Sequence, residues 1–162
     1  MALITKERTF GKKLKGKEYL PRPGVYAVIL DDEDLLAVMC RDGRYYLPGG
    51  GLKEGEDPIQ ALHRGVAEET GWTIRVEYQL GSAREYVDVP DDPVGYEKRA
   101  VFFPSEIVGS PEKKKPAKHG PKWVTMNSFE MMAALASHYW AAGIAVYVSK
   151  RLFMSHFDDV IE

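Results

Sequence analysis

Residues 47 to 72 read LPGGGLKEGEDPIQALHRGVAEETGW, and this stretch limits the chain more than any other. It predicts a glycine-rich loop, a short acidic segment and one helix that ends on a pair of carboxylates. Asp57 is a good N-cap. Pro58 suits the first helical turn, where its missing N–H would have no partner anyway. Gly71 fits the position after the helix, which calls for a left-handed backbone. Ile59, Leu62 and Val66 form one apolar stripe, so that face is turned to a core. Ala61, Gly65, Glu68 and Glu69 lie beside the stripe. Two adjacent carboxylates at the edge of a core, with loop carbonyls close by, suit a hard divalent cation such as Mg²⁺ or Mn²⁺.

The rest of the chain predicts a mixed α/β fold. Residues 1 to 20 read as a basic arm, solvated or with a short strand over Ile4 to Phe10. Gly24 to Leu30 and Leu35 to Cys40 predict strands, joined by the acidic turn Asp31 to Asp34, which reads as solvated. Asp42-Gly43 signals a hairpin. Thr73 to Leu80, Ala83 to Val89 and Lys98 to Phe103 alternate as strands, and the last two make a long hairpin. A polar loop over 104 to 122 carries Lys113, Lys114, Lys115, Lys118, His119 and Lys122. A short strand over Trp123 to Met126 follows. A helix over Phe129 to Leu135, capped by Asn127 or Ser128, and another from about Ser137 to Phe153 end the chain. Tyr139, Trp140, Ile144, Val148 and Leu152 are the packing positions of that last helix; they serve a core or a homodimer surface equally well.

Composition narrows the function classes. With 162 residues, a single domain spanning 1–162 is expected, with residues 1–20 as its N-terminal arm. A net charge of −2 supplies no global field for nucleic acid or membrane. The one cysteine, Cys40, excludes an intrachain disulfide and reads as a small core residue. The N-terminus lacks a signal-peptide core and no run has the length of a transmembrane helix, so the expected location is cytoplasmic, with no membrane partner.

The helix and its loop resemble the Nudix box, G-x5-E-x7-R-E-U-x-E-E-x-G-U, where U is bulky and apolar. Gly50, Glu56, Arg64, Val66, Glu68, Glu69, Gly71 and Trp72 fall at the required spacing, which is eight of nine defined positions over 23 residues. The glutamate expected after the arginine is Gly65. The resemblance implies an α/β/α sandwich with a mixed β-sheet over most of residues 24 to 150. It also implies hydrolysis of a pyrophosphate bond in a nucleoside diphosphate linked to another moiety, with Mg²⁺ or Mn²⁺ as cofactor. The partner would be a nucleotide or another pyrophosphate-containing small molecule.

The family pattern assigns roles to named residues. Glu68, Glu69 and the Gly50 carbonyl would hold metal, and Glu68 and Glu69 would take part in catalysis. Arg64 would orient the box glutamates, often through Glu56; the alternative is a surface pair with Glu68. Gly49 and Gly51 let the backbone approach substrate closely. Arg41 and Arg84 are candidate phosphate contacts, and Tyr46, Tyr86 and Trp123 are candidate stacking surfaces or core. Many relatives place an acid shortly before the Trp-Val strand, where this chain has lysines. Glu106, Glu112 and Glu97 are the substitutes, with Glu106 preferred. The lysines steer a phosphate-rich substrate or are simply solvated. Glycine at 65 removes one unit of negative charge from the metal site, so two functions stay open: a metal-dependent pyrophosphohydrolase, and a weak or inactive module that binds a phosphorylated ligand.

Overall fold

The computed structural model describes residues 6–109 and 120–161. The lysines at 113–115 and 118, with Glu112 and His119, lie outside the described residues. In chain order the elements are β1 (Arg8–Phe10), β2 (Glu18–Val28), β3 (Leu36–Arg41), β4 (Arg44–Tyr46), β5 (Gly49–Gly51), α1 (Pro58–Thr70), β6 (Ile74–Val76), β7 (Gly81–Val87), β8 (Val94–Ile107), β9 (Lys122–Val124), α2 (Met126–Met132) and α3 (Ala136–Ile161). A mixed sheet runs β1-β7-β8-β2-β5, with β6 also paired to β8, and a second sheet runs β4-β3-β9. β1–β7 and β2–β8 are parallel, whereas β7–β8 and β2–β5 are antiparallel.

Alternation along β2 divides the core into two layers. Val25, Ala27 and Ile29 meet Ala61, Leu62 and Val66 of α1 on one face. Val28, with Ala100 and Phe102 of β8, meets Phe129 of α2 and Ala141, Ala142 and Ala145 of α3 on the other. This is the α/β/α sandwich with a mixed sheet that the resemblance implied. Successive strand side chains point to opposite faces, so a sheet buried on both sides needs apolar residues at every position, as Val25 to Ile29 supply. Among the described residues no helix is long and apolar enough to cross a membrane.

Local expectations met in detail are those set by turn and cap chemistry. Asp42 (φ 51°) and Gly43 (φ 74°) turn β3 into β4. Asp31 caps its own turn, its Oδ1 accepting the Glu33 and Leu35 N–H groups at 2.9 and 2.8 Å. That engages the carboxylate locally and agrees with a solvated turn.

Several boundaries differ from the sequence reading. β2 begins at Glu18 and runs through Pro21 and Pro23, because residues 18–23 pair with β8 on one side only. The Pro23 carbonyl accepts the Leu52 N–H at 3.0 Å on the open side, so the missing proline N–H faces an edge and breaks no ladder. Of the two readings of the N-terminal stretch, the short strand holds over Arg8–Phe10, with residues 4 and 5 outside the described residues and Phe10 against the Trp140 ring at 5.8 Å. The expected strand over Thr73 to Leu80 narrows to Ile74–Val76, though the Glu77 and Leu80 N–H groups still bond to β8 carbonyls. α2 is capped by Thr125, whose Oγ1 accepts the Ser128 N–H at 3.1 Å, rather than by Asn127 or Ser128.

Candidate active site

The helix α1 forms where its caps require. The Asp57 carboxylate accepts the Gln60 N–H at 3.1 Å, Pro58 opens the first turn, and Gly71 closes the last at φ 77°. Its buried residues are Ala61, Leu62, Gly65 and Val66, so Glu68 and Glu69 emerge at the edge of the packed face.

α1 docks on β5 through glycine. A Cβ on Gly65 would stand 3.2 Å from the Gly49 carbonyl carbon and 3.4 Å from the Gly50 nitrogen. Helix and loop backbone therefore touch, and a carboxylate side chain at 65 would start inside that contact. Gly49 is equally constrained: at φ 143°, its Cβ would meet the Val25 carbonyl oxygen at 2.1 Å. The absent glutamate at 65 is thus coupled to the position of the glycine loop.

Arg64 ties the box together. Its Nε donates to Glu56 Oε1 at 2.7 Å and its Nη2 to Glu56 Oε2 at 3.0 Å, a bidentate pair. Nη2 also donates to the Gly51 carbonyl at 3.1 Å and Nη1 to Glu68 Oε2 at 3.2 Å. One guanidinium thus joins the acidic segment, the glycine loop and the last helical turn, well beyond a surface pair. The Arg64 hydrogen bond, helped by the Lys53 N–H, holds the Glu56 carboxyl at about 2.

Glu69 is the more enclosed of the two carboxylates at the end of α1. Its Oε2 accepts the Gly49 N–H at 3.1 Å and its Oε1 accepts from Arg41 Nη2. Burial pushes its carboxyl above the ordinary value, against the opposing pull of the Gly49 N–H and Arg41. Glu68 has a side chain 62% exposed, against 16% for Glu69. The site thus holds two unlike acids: a shielded one facing the loop and a solvated one held by Arg64.

A hollow of about 220 Å³ opens beside them, lined by Glu69, Gly49, Gly50, Gly51, Arg41 and Tyr46. Arg22, Tyr26, Lys98 and Leu135 are also in its wall. Arg22 and Lys98 are register partners on the adjacent parallel strands β2 and β8, so both side chains leave the sheet on one face. Burial, and the Arg22 and Arg41 cations beside it, push the Lys98 ammonium below the usual lysine range. Arg22, Arg41 and Lys98 thus give the hollow a basic wall, whose chemistry suits an anion. Below it, His138 of α3 is fully buried; its Nδ1 accepts the Leu47 N–H at 3.1 Å, and burial pushes the imidazole down to about 3.

The structure brings Arg41, Gly49, Gly50, Gly51, Glu69 and Tyr46 to this hollow, with Arg64 and Glu68 at its margin. Arg84 is not there. It faces the opposite side of the sheet from Lys98, because its register partner is Arg99, and it pairs with Glu97 at 3.1 Å and Glu7 at 3.6 Å. Glu106 lies near the end of β8, paired to Arg75 and lining a different hollow with Asp31, Asp32 and Glu77. Tyr86 packs edge-on to Tyr19, and Trp123 stacks on Trp72 at 5.6 Å. Arg22, Tyr26, Lys98 and His138 escaped the sequence reading. The one available signal was the alternation that sets Arg22, Gly24 and Tyr26 on a common face.

The donor set suits a hard cation. Glu68, Glu69 and the Gly50 carbonyl offer only oxygen, as Mg²⁺ and Mn²⁺ prefer. Among the described residues, no group of three or more acid, histidine or cysteine side chains converges on one point. The fit is therefore to an ion that keeps waters and takes further ligands from substrate phosphates, as Mg²⁺ commonly does.

Comparison with known proteins places this geometry. The family model for the NUDIX domain matches residues 20–143. Among solved structures, the chain is similar to a NUDIX hydrolase from Nitrosomonas europaea, with TM-score 0.61 and 21% identity over 78% of this chain and 89% of that one. It is also similar to a MutT protein from Methanosarcina mazei Go1, with TM-score 0.59 and 19% identity over 83% and 97%. An ADP-ribose pyrophosphatase from Streptococcus suis 89-1591 matches with TM-score 0.55 and 15% identity over 78% and 92%. These likenesses establish a shared fold, and with the family match over residues 20–143, the chain belongs to the NUDIX domain family.

Proposed function

We propose that this protein hydrolyses a pyrophosphate bond in a nucleoside diphosphate linked to another moiety, with Mg²⁺ or Mn²⁺. The observation that carries the reading is the meeting of Glu69 and the glycine loop with Arg22, Arg41 and Lys98 around one hollow. Acids and bases face each other there, as a site must if it is to hold both a cation and a phosphorylated substrate. Glu68, Glu69 and the Gly50 carbonyl are the groups that would hold the ion. When bound, the ion neutralises phosphate charge and lowers the pKa of an attacking water. Glu69, the carboxylate that lines the hollow against the glycine loop, is the chain's own candidate base. Arg41, Arg22 and Lys98 take the phosphate oxygens. Arg64 keeps Glu68, Glu56 and Gly51 in register.

A second reading rests on one specific observation: Glu68 and Glu69 each carry an arginine partner, and position 65 contributes no acid. In that reading the hollow binds a phosphorylated ligand without turning it over. Phosphate release from a panel of nucleoside diphosphate derivatives, with Mg²⁺ and with chelator, separates the two. The hydrolase reading expects metal-dependent release that Glu69→Gln lowers by at least about a hundredfold, the scale of losing a general base. Equal rates for wild type and Glu69→Gln overturn it. Calorimetric binding without turnover would favour the module.

A further inference from the structure

Beside the three cations of the hollow lies an uncharged hydroxyl that belongs to no part of the box. Tyr26 leaves β2 on the face shared with Arg22, and its ring folds back over Gly24. A Cβ on Gly24 would stand 3.0 Å from the Tyr26 hydroxyl oxygen, 3.1 Å from Cε2 and 3.2 Å from the Gly50 carbonyl oxygen. The phenol oxygen and the loop carbonyl therefore crowd the same point. We infer that the Tyr26 hydroxyl is a catalytic residue of this site, donating a hydrogen bond to a phosphate oxygen of the substrate, with Gly24 and His138 as the residues that position its ring. The inference rests on the hydrolase reading and adds to it a donor from outside the box.

Three features support the role. The first is placement: Tyr26 lines the hollow together with Glu69, Arg41, Arg22 and Lys98, so a phosphate group held by those cations has the phenol within its walls. The second is the state of the hydroxyl. A phenol ionises only at about pH 10, so the hydroxyl keeps its proton at neutral pH. An O–H of this kind donates without adding charge, and no proton is transferred. Among the described residues it has no hydrogen-bond partner, although Tyr45 and Tyr78 show that tyrosine is tolerated elsewhere against the same apolar layer.

The third is the seat of the ring. His138 packs against it at 4.3 Å between centroids, and Phe102 flanks it at 6.0 Å. His138 cannot turn without stranding the buried Leu47 N–H that it accepts. Leu47 is followed by Pro48, whose carbonyl accepts the Ala27 N–H at 2.8 Å, and by Gly49, whose N–H meets Glu69. The segment that delivers the glycine loop and the ring that overlies it are thus held by the same imidazole. A preorganised donor aimed where phosphate charge develops needs no reorganisation during the reaction. In a site that lacks one family carboxylate, such a donor carries a larger share of the stabilisation.

The test is Tyr26→Phe, which removes the hydroxyl and leaves the ring on His138. The assay is Mg²⁺-dependent hydrolysis of the nucleotide panel, with calorimetric binding of inorganic pyrophosphate and a thermal melt alongside. About a tenfold loss in kcat/KM and in pyrophosphate affinity is expected, the scale of a hydrogen bond to a charged group, with an unchanged Tm. Gly24→Ala, whose Cβ would crowd both the Tyr26 hydroxyl and the Gly50 carbonyl, should lose more than Tyr26→Phe, and the double variant should lose no more than Gly24→Ala alone; additive losses would remove Gly24 from the positioning role. If Glu69→Gln abolishes hydrolysis while Tyr26→Phe matches wild type in both rate and affinity, the donor is overturned and the hydrolase reading stands. If wild type hydrolyses nothing in the panel, the hydrolase reading fails, and equal pyrophosphate affinity of wild type and Tyr26→Phe overturns the donor as well.

Discussion

His138 makes a pH prediction whose size follows from its burial. The imidazole is fully buried, its Nδ1 takes the Leu47 N–H, and it titrates at about 3 in the folded chain against an ordinary 6.5. The folded pKa is depressed, so the native state forgoes a proton that the unfolded chain binds. The associated stability is complete above pH 6.5, falls as pH drops through the window between 6.5 and about 3, and is lost below it. Each pH unit in the window costs about 1.4 kcal/mol, so going from pH 7.5 to 5 costs about 2 kcal/mol. That is a large part of a typical folding free energy of about 5–15 kcal/mol. Glu56, Asp88 and Glu97 also have depressed values, but they start from carboxylate range and lose their stability mostly below pH 5. Glu69, raised by burial, acts in the opposite sense.

All these groups are common to wild type and His138→Asn, whose Oδ1 can still accept the Leu47 N–H but does not titrate. Urea unfolding of both at pH 7.5 and 5.0 should therefore show wild type losing about 2 kcal/mol more than the variant across that interval. Because the smaller asparagine lowers stability at every pH, only the difference between the two pH values counts. Histidine NMR titration of wild type supplies a second measurement: one of the four histidines should not titrate above pH 5. Parallel stability losses in both proteins, together with four ordinary histidine titrations, would refute the reasoning.

Two further outcomes follow from the box. Arg64→Lys keeps the charge but cannot reproduce the bidentate pair with Glu56 plus the bonds to Gly51 and Glu68, so metal affinity or activity should fall about 10- to 100-fold; metal titration with wild-type affinity would contradict the orienting role. Gly65→Glu tests the contact between helix and loop: its Cβ would stand 3.2 Å from the Gly49 carbonyl carbon, so the loop backbone must yield by a few tenths of an ångström, against the ~1 kcal/mol that a glycine costs inside a helix; a Tm below wild type with no gain in hydrolysis is the expected outcome. Unchanged Tm together with a large gain in hydrolysis would show that the helix can withdraw at no cost.

Sequence alone was a good guide wherever the determining interaction is local. The α1 caps at Asp57 and Gly71, the hairpin at Asp42-Gly43 and the apolar stripe of Leu62 and Val66 depend on residues within a few positions of each other. The spacing that marks the box is local too, since a helix sets Arg64, Glu68 and Glu69 in fixed relation. The resemblance therefore led to the right family and to a mixed sheet between helices. Register decided the rest. Lys98 and Arg22 share a hollow because β2 and β8 run parallel in one particular alignment, and a shift of one residue would send Lys98 to the face where Arg84 and Glu97 pair. Glu106 was a reasonable substitute by sequence distance, but β8 carries it to Arg75 and a separate hollow. Gly65 read in sequence as a missing acid. Only packing reveals it also as the contact that lets α1 touch the glycine loop, because that contact depends on how closely two backbones approach, which no residue spacing along the chain records.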